Sequence, residues 1–124
     1  MNFAEWRLHV CRMLQAHASQ WQIVGQASDG REAVEETAEL QPDIVLLDVG
    51  MPNLDGIEAA KQMRKANRQI KILFLTVNND SDLREAADDI GADGYVLKTK
   101  ARSQLIPAME LAMRSDYHDL GSYL

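Results

Sequence analysis

The sequence predicts an α/β fold, a doubly wound parallel sheet with helices on both faces. Three observations carry this reading. The run Ile44-Val45-Leu46-Leu47-Asp48 is four large aliphatic residues followed by an acid, and it breaks into Gly50, Pro52 and Asp55-Gly56. A short apolar run bounded by turn signals reads as a strand buried on both faces. Two further apolar runs, Ile70 to Thr76 and Gly94 to Lys98, also end on a polar residue. Amphipathic helical patterns lie between these runs, and alternating strands and helices are best packed as parallel strands with helical crossovers.

Taken in order, Phe3, Trp6, Val10, Met13, Leu14 and His17 recur at spacings of three and four and predict a first helix. Trp21-Gln22-Ile23-Val24-Gly25 predicts a short strand. Asp29-Gly30 turns the chain, and Asp29 can cap the next helix, whose packing face is Ala33, Val34, Thr37, Ala38 and Gln41. Pro42 ends that helix. The strand 44–48 and the loop Pro52–Gly56 lead to a third helix lined by Ile57, Ala60, Met63 and Arg64, ending near Asn67. After the strand from Ile70 to Thr76, Asn78-Asn79-Asp80-Ser81 offers caps for a helix carrying Leu83, Ala86, Ala87 and Ile90, with Gly91 as its stop. Gly94 to Lys98 is the last strand. Leu105, Ile106, Ala108, Met109, Ala112 and Met113 line the last helix, with Pro107 near its first turn.

At 124 residues the chain is read as one domain, 1–124, with a core over about 3–114 and a tail from 115 to 124 that lacks periodicity. No apolar run reaches the roughly 20 residues of a membrane helix. Glu5 and Arg7 leave no room for a secretory h-region at the start. A single cysteine, Cys11, excludes an internal disulfide and fits a reducing, cytoplasmic setting. The net charge of −6 argues against direct nucleic-acid binding by this chain. His9, His17 and His118 show no metal-ligand spacing, and Asp88-Asp89 and Glu35-Glu36 read as solvated helix faces.

In a parallel sheet, ligands collect beyond the carboxyl ends of the strands. Asp48, Thr76 and Lys98 each end a strand in the same sense and belong to consecutive strands. A carboxylate can attack phosphorus, an ammonium can neutralise a phosphoryl oxygen, and a hydroxyl can hydrogen-bond another. Three polar strand ends are also compatible with a merely solvated rim.

The segment Leu47-Asp48-Val49-Gly50-Met51-Pro52-Asn53-Leu54-Asp55-Gly56 resembles the phosphoacceptor region of receiver domains of two-component response regulators. Leu75-Thr76 resembles their switch strand, and Gly91-Ala92-Asp93-Gly94-Tyr95-Val96-Leu97-Lys98 resembles their last strand. The stretch Ile23 to Ala33 is similar to the subgroup often linked to a helix-turn-helix output domain, which is absent from this sequence. The resemblance spans about 3–114 and implies a flavodoxin-like fold. It implies Asp48 as phosphoryl acceptor, Thr76 and Lys98 as phosphate ligands, and Tyr95 as the aromatic that follows Thr76. It implies Mg²⁺ held by Asp48 and the backbone carbonyl of Gly50. The implied partner is a histidine kinase or phosphotransfer protein, with at most slow autodephosphorylation and no enzymatic role.

Receivers usually begin with a central hydrophobic strand ending in two acids that bind Mg²⁺. Here Met1 and Asn2 fall where that acidic pair would stand, so the start reads as truncated or divergent. Asp48 with Asn2 is a weak set for an ion that prefers octahedral oxygen ligands. Slow or absent phosphorylation is therefore expected. The missing strand is expected to leave open edges near 22–27 and 44–48, inviting a rearranged four-stranded sheet or a homodimer. Two other functions compete with a working receiver. One is a receiver-like interaction module that no longer takes phosphate. The other is an aspartate-nucleophile phosphatase of the haloacid-dehalogenase type, which needs a second Asp where this chain has Gly50.

Overall fold

The structure, a computed structural model, describes residues 3–51, 53–77 and 81–121. Helix α1 (Phe3–Gln15) forms on the expected apolar stripe, and Trp6, Val10, Cys11 and Leu14 are buried. His17 lies beyond the helix and is exposed, where a turn closes through its N–H to the Leu14 carbonyl at 2.9 Å. Helix α2 (Gly30–Leu40) starts at Asp29, whose side chain accepts the Glu32 N–H at 2.8 Å. It ends at Gln41, in the left-handed region at φ 47°, one residue before Pro42.

The described sheet has three parallel strands, β1 (Ile44–Asp48), β2 (Lys71–Thr76) and β3 (Gly94–Leu97), in the order β1-β2-β3. Helices α3 (Gly56–Ala66), α4 (Ser81–Ile90) and α5 (Ala101–Gly121) complete the α/β architecture. Alternation along β2 divides the core in two. Ile72 and Phe74 pack with Ala33 of α2, Ala59, Ala60 and Met63 of α3, and Ala87 of α4. Leu73 and Leu75 pack with Trp6, Val10 and Leu14 of α1 and with Leu105 and Met109 of α5. The sheet is thus covered on both faces, as a doubly wound sheet requires.

At the amino end of the strands, Asp93 accepts the Ile72 N–H at 2.8 Å and pairs with Lys71 and Arg64 at 4.0 and 3.5 Å. Arg64 also donates to the carbonyls of Ile70, Gly91 and Arg68. Lys71 is buried, and the Asp93 carboxylate offsets the cost of keeping its charge there. These contacts fix the starts of β2 and β3, so their carboxyl ends emerge together.

Four expectations are corrected. Residues 21–27 form no strand. Trp21 and Ile23 are partly buried against the α1 side of the core while Gln22 and Val24 are exposed, so the alternation of a strand survives without a ladder. A strand needs a neighbour, and no described segment lies between this stretch and β1 to supply the hydrogen bonds. A groove of about 700 Å³ is lined by residues 20–27, Ile44–Leu46, Trp6 and Val10. For the same reason β1 is fully buried only at Leu47 and Asp48, and burial at every position belongs to β2. The last strand stops at Leu97, and Lys98 opens a 3₁₀ turn, Lys98–Lys100. Finally, α5 begins at Ala101, so Pro107 sits in its second turn, where it withholds the N–H that would reach the Ser103 carbonyl.

Candidate functional site

Asp48 is the last residue of β1 and is buried, 6% exposed. In the ladder Asp48 stands opposite Leu75, and Thr76 opposite Leu97. Thr76 and Lys98 therefore each lie one residue beyond the position opposite the preceding polar group, and the three residues step across the carboxyl edge of the sheet. The ladder continues past Asp48, with the Val49 N–H donating to the Leu75 carbonyl at 3.1 Å. Helix α3 then starts against the strand end. A Cβ on Gly56 would lie 2.5 Å from the Asp48 carbonyl oxygen, so this close approach requires glycine.

The intervening loop is tied to α2. Asn53, at φ 66°, donates its side-chain amide to Asp29 Oδ2 at 2.7 Å. The Glu32 N–H and the Asn53 amide hold the Asp29 carboxyl below its ordinary range, the backbone bond contributing most. Asp55 caps α3 by accepting the Glu58 N–H at 2.8 Å. The β1–α3 loop is thus held at Asn53 and at its α3 end by carboxylates whose work is structural.

Both oxygens of Asp48 are engaged. Oδ1 accepts the Gly50 N–H at 2.9 Å. Oδ2 accepts from the Lys98 Nζ in a direct ion pair. The Lys98 ammonium also lies 5.2 Å from the ring centroid of Trp6 on α1. Thr76 is buried at the end of β2. Tyr95 is partly buried against the α3–α4 side of the core, in register with Phe74, and the Arg84 guanidinium stands 5.4 Å from its ring centroid. The site is a single buried carboxylate neutralised by one lysine, with a hydroxyl at the neighbouring strand end.

A family model for the response regulator receiver domain matches residues 6–110. This chain belongs to the response regulator receiver family. It is 43% identical over 107 residues to the transcriptional regulatory protein PdtaR of Mycobacterium tuberculosis, covering 86% of this chain and 51% of that protein. It is 38% identical over 97 residues to the transcriptional regulatory protein YdfI of Bacillus subtilis, covering 78% and 45%. The receiver therefore spans about half the length of the curated relatives it matches. Among solved structures, the signal receiver domain of the putative response regulator NarL from Mycobacterium tuberculosis superposes with a TM-score of 0.83 at 28% identity, covering 90% of each chain. The flavodoxin-like receiver fold and a place in two-component signalling follow from this membership. No helix among the described residues is long and apolar enough to cross a membrane.

Receivers typically bind Mg²⁺. The described residues of this one do not fit the ion. They contain no group of three or more His, Cys, Asp or Glu side chains that could hold a metal. Asp48 already gives its two oxygens to Gly50 and Lys98, and the remaining candidate ligand is the Gly50 carbonyl. An octahedral ion prefers one or two carboxylates with several further oxygens. Asn2, the third candidate ligand, lies outside the described residues. The contact that sequence reasoning missed is Trp6 on Lys98. Trp6 was legible as a core position on the α1 stripe, and nothing in its spacing pointed to the ammonium of a residue at the far end of the chain.

Proposed function

We propose that this receiver accepts a phosphoryl group on Asp48 from a histidine kinase or phosphotransfer protein and reports it through a partner-binding face. The observation that carries this reading is the buried Asp48 carboxylate paired with Lys98 at the carboxyl edge of a parallel sheet. An Asp48 oxygen attacks phosphorus, the new O–P bond forms, and the bond to the donor breaks with the leaving group keeping its electron pair. With acetyl phosphate as donor the leaving group is acetate, and no proton needs to move. The dianionic product carries new acceptor oxygens. Lys98 offsets the charge, and the Thr76 hydroxyl donates to one oxygen. Movement of Thr76 opens room that Tyr95 fills, and the surface of α4, β3 and α5 changes as a result. Releasing Tyr95 also means releasing Arg84 from its ring.

One observation favours a second reading. The described residues hold no cluster of three or more His, Cys, Asp or Glu side chains, so a divalent ion has little to hold it at Asp48, and uptake is slow or lost in a receiver that acts only as an interaction module. A homodimer is the partner proposed for the outer edge of β1, which pairs on one side only among the described residues. Intact-mass measurement after incubation with acetyl phosphate separates the two readings. An acceptor gains one phosphoryl group in the parent and none in Asp48→Asn. No gain in the parent, with and without Mg²⁺, leaves the interaction module. Light scattering tests the dimer, and a monomer at all concentrations rejects it.

A further inference from the structure

We propose that Trp6 is a positioning residue whose indole face holds the Lys98 ammonium against Asp48. The inference rests on the reading of Asp48 as acceptor and extends it to a residue on a different element. Lysine has a long stem with four rotatable bonds, and a single ion pair leaves it free to swing toward water. Here the ammonium has two partners, Asp48 Oδ2 and the Trp6 ring at 5.2 Å. Its side chain is 18% exposed, and Asp48 and Trp6 are each 6% exposed, so the contact is largely desolvated, where a ring quadrupole attracts a cation most strongly.

A purely space-filling role explains Trp6 less well. Its Nε1 is buried and has no hydrogen-bond partner among the described residues. A buried N–H left unsatisfied is costly, and an aliphatic side chain would fill the same site without that cost. The ring face is the part of the indole that meets a charge. The ring is also fixed in place. Val10 and Leu14 anchor the same face of α1 against Leu105 and Met109, and His9 packs at 5.4 Å from the Trp6 centroid. Trp6 therefore presents a rigid aromatic wall to a flexible cation that must meet the incoming phosphoryl oxygens.

The test compares Trp6→Phe, which keeps an aromatic face, with Trp6→Met, which keeps an apolar side chain without one. Two quantities are read on each folded variant. The first is the chemical shift of the Lys98 ε-protons, with exposed Lys100 as internal reference. The second is the rate of phosphoryl uptake from acetyl phosphate. The parent is expected to show Lys98 shifted upfield by the ring. Phe keeps the upfield shift and a rate within about threefold of the parent, while Met loses the shift and slows by about tenfold. Thermal midpoints score lost packing separately. Equal slowing in both variants, in step with lost thermal stability, overturns the proposal. So does a parent in which Lys98 and Lys100 shift alike. If the parent takes up no phosphoryl group, the acceptor reading fails, and the shift and its loss in Trp6→Met still decide whether Trp6 holds Lys98.

Discussion

Asp48, Asp29 and Asp55 are three carboxylates within one loop system, and their partners give them different work. Asp48 meets a lysine, whereas Asp29 and Asp55 meet backbone N–H groups at helix starts. Replacing Asp55 by Ala removes the α3 cap and is expected to cost about 1 kcal/mol in urea unfolding, with phosphoryl uptake retained. Asp29 gives a pH signature. Its folded pKa is depressed, so it contributes stability above the ordinary aspartate range, and that contribution is lost as pH falls through the folded value. The stability difference between parent and Asp29→Asn is therefore expected to stay constant from neutral pH to about 5 and to shrink on further acidification. Cys11 is buried, and burial raises its thiol pKa against the smaller opposing effect of Arg7. Native protein should react slowly with iodoacetamide, and unfolded protein quickly. Its burial follows from its place on α1, where Trp6, Val10 and Leu14 are buried as well.

Among the elements, what could be read in advance depended on how local its cause is. The cap at Asp29, the start of α3 after the Pro52–Gly56 loop, the stop at Gly91 and the stripe of α3 are set by neighbours a few residues away and fall where the sequence placed them, whereas α1 ends before His17. The segment 21–27 has the residues of a strand, yet strand formation depends on a partner chain segment that its own sequence cannot report. Lys98 leaves the strand because the chain enters a 3₁₀ turn, Lys98–Lys100, directly after Leu97 on its way to α5. The approach of α3 to β1 was likewise invisible until the backbone showed how little room Gly56 has. Gly56→Ala should destabilise the fold by roughly 2 kcal/mol, as overpacking against fixed backbone does, and the loss should appear as a lower denaturation midpoint. A midpoint equal to the parent's would show that α3 can withdraw from the strand without penalty.

For the whole molecule, the sheet places its best-protected strand at the centre and Asp48 at the carboxyl end of an edge strand. Hydrogen exchange should therefore be slowest in β2, which pairs on both sides and is buried throughout, and fastest along 21–27, which has no ladder. Family membership was legible from the Asp48 loop, Leu75-Thr76 and the Gly91–Lys98 stretch, because those residues set the strand ends and turns of the fold. Among the described residues, Asp48 and the Gly50 carbonyl are the candidate Mg²⁺ ligands, fewer than an octahedral ion prefers. The contact between Trp6 and Lys98 was not legible, because it joins the first helix to the turn after the last strand. The claim on which the rest depends is that Asp48 carries the phosphoryl group. Borohydride reduction of acetyl-phosphate-treated protein converts an aspartyl phosphate to homoserine, and peptide mass mapping then locates it. An acceptor at Asp48 gives homoserine at position 48 and nowhere else. Homoserine at Asp29 or Asp55, or at no position, contradicts it.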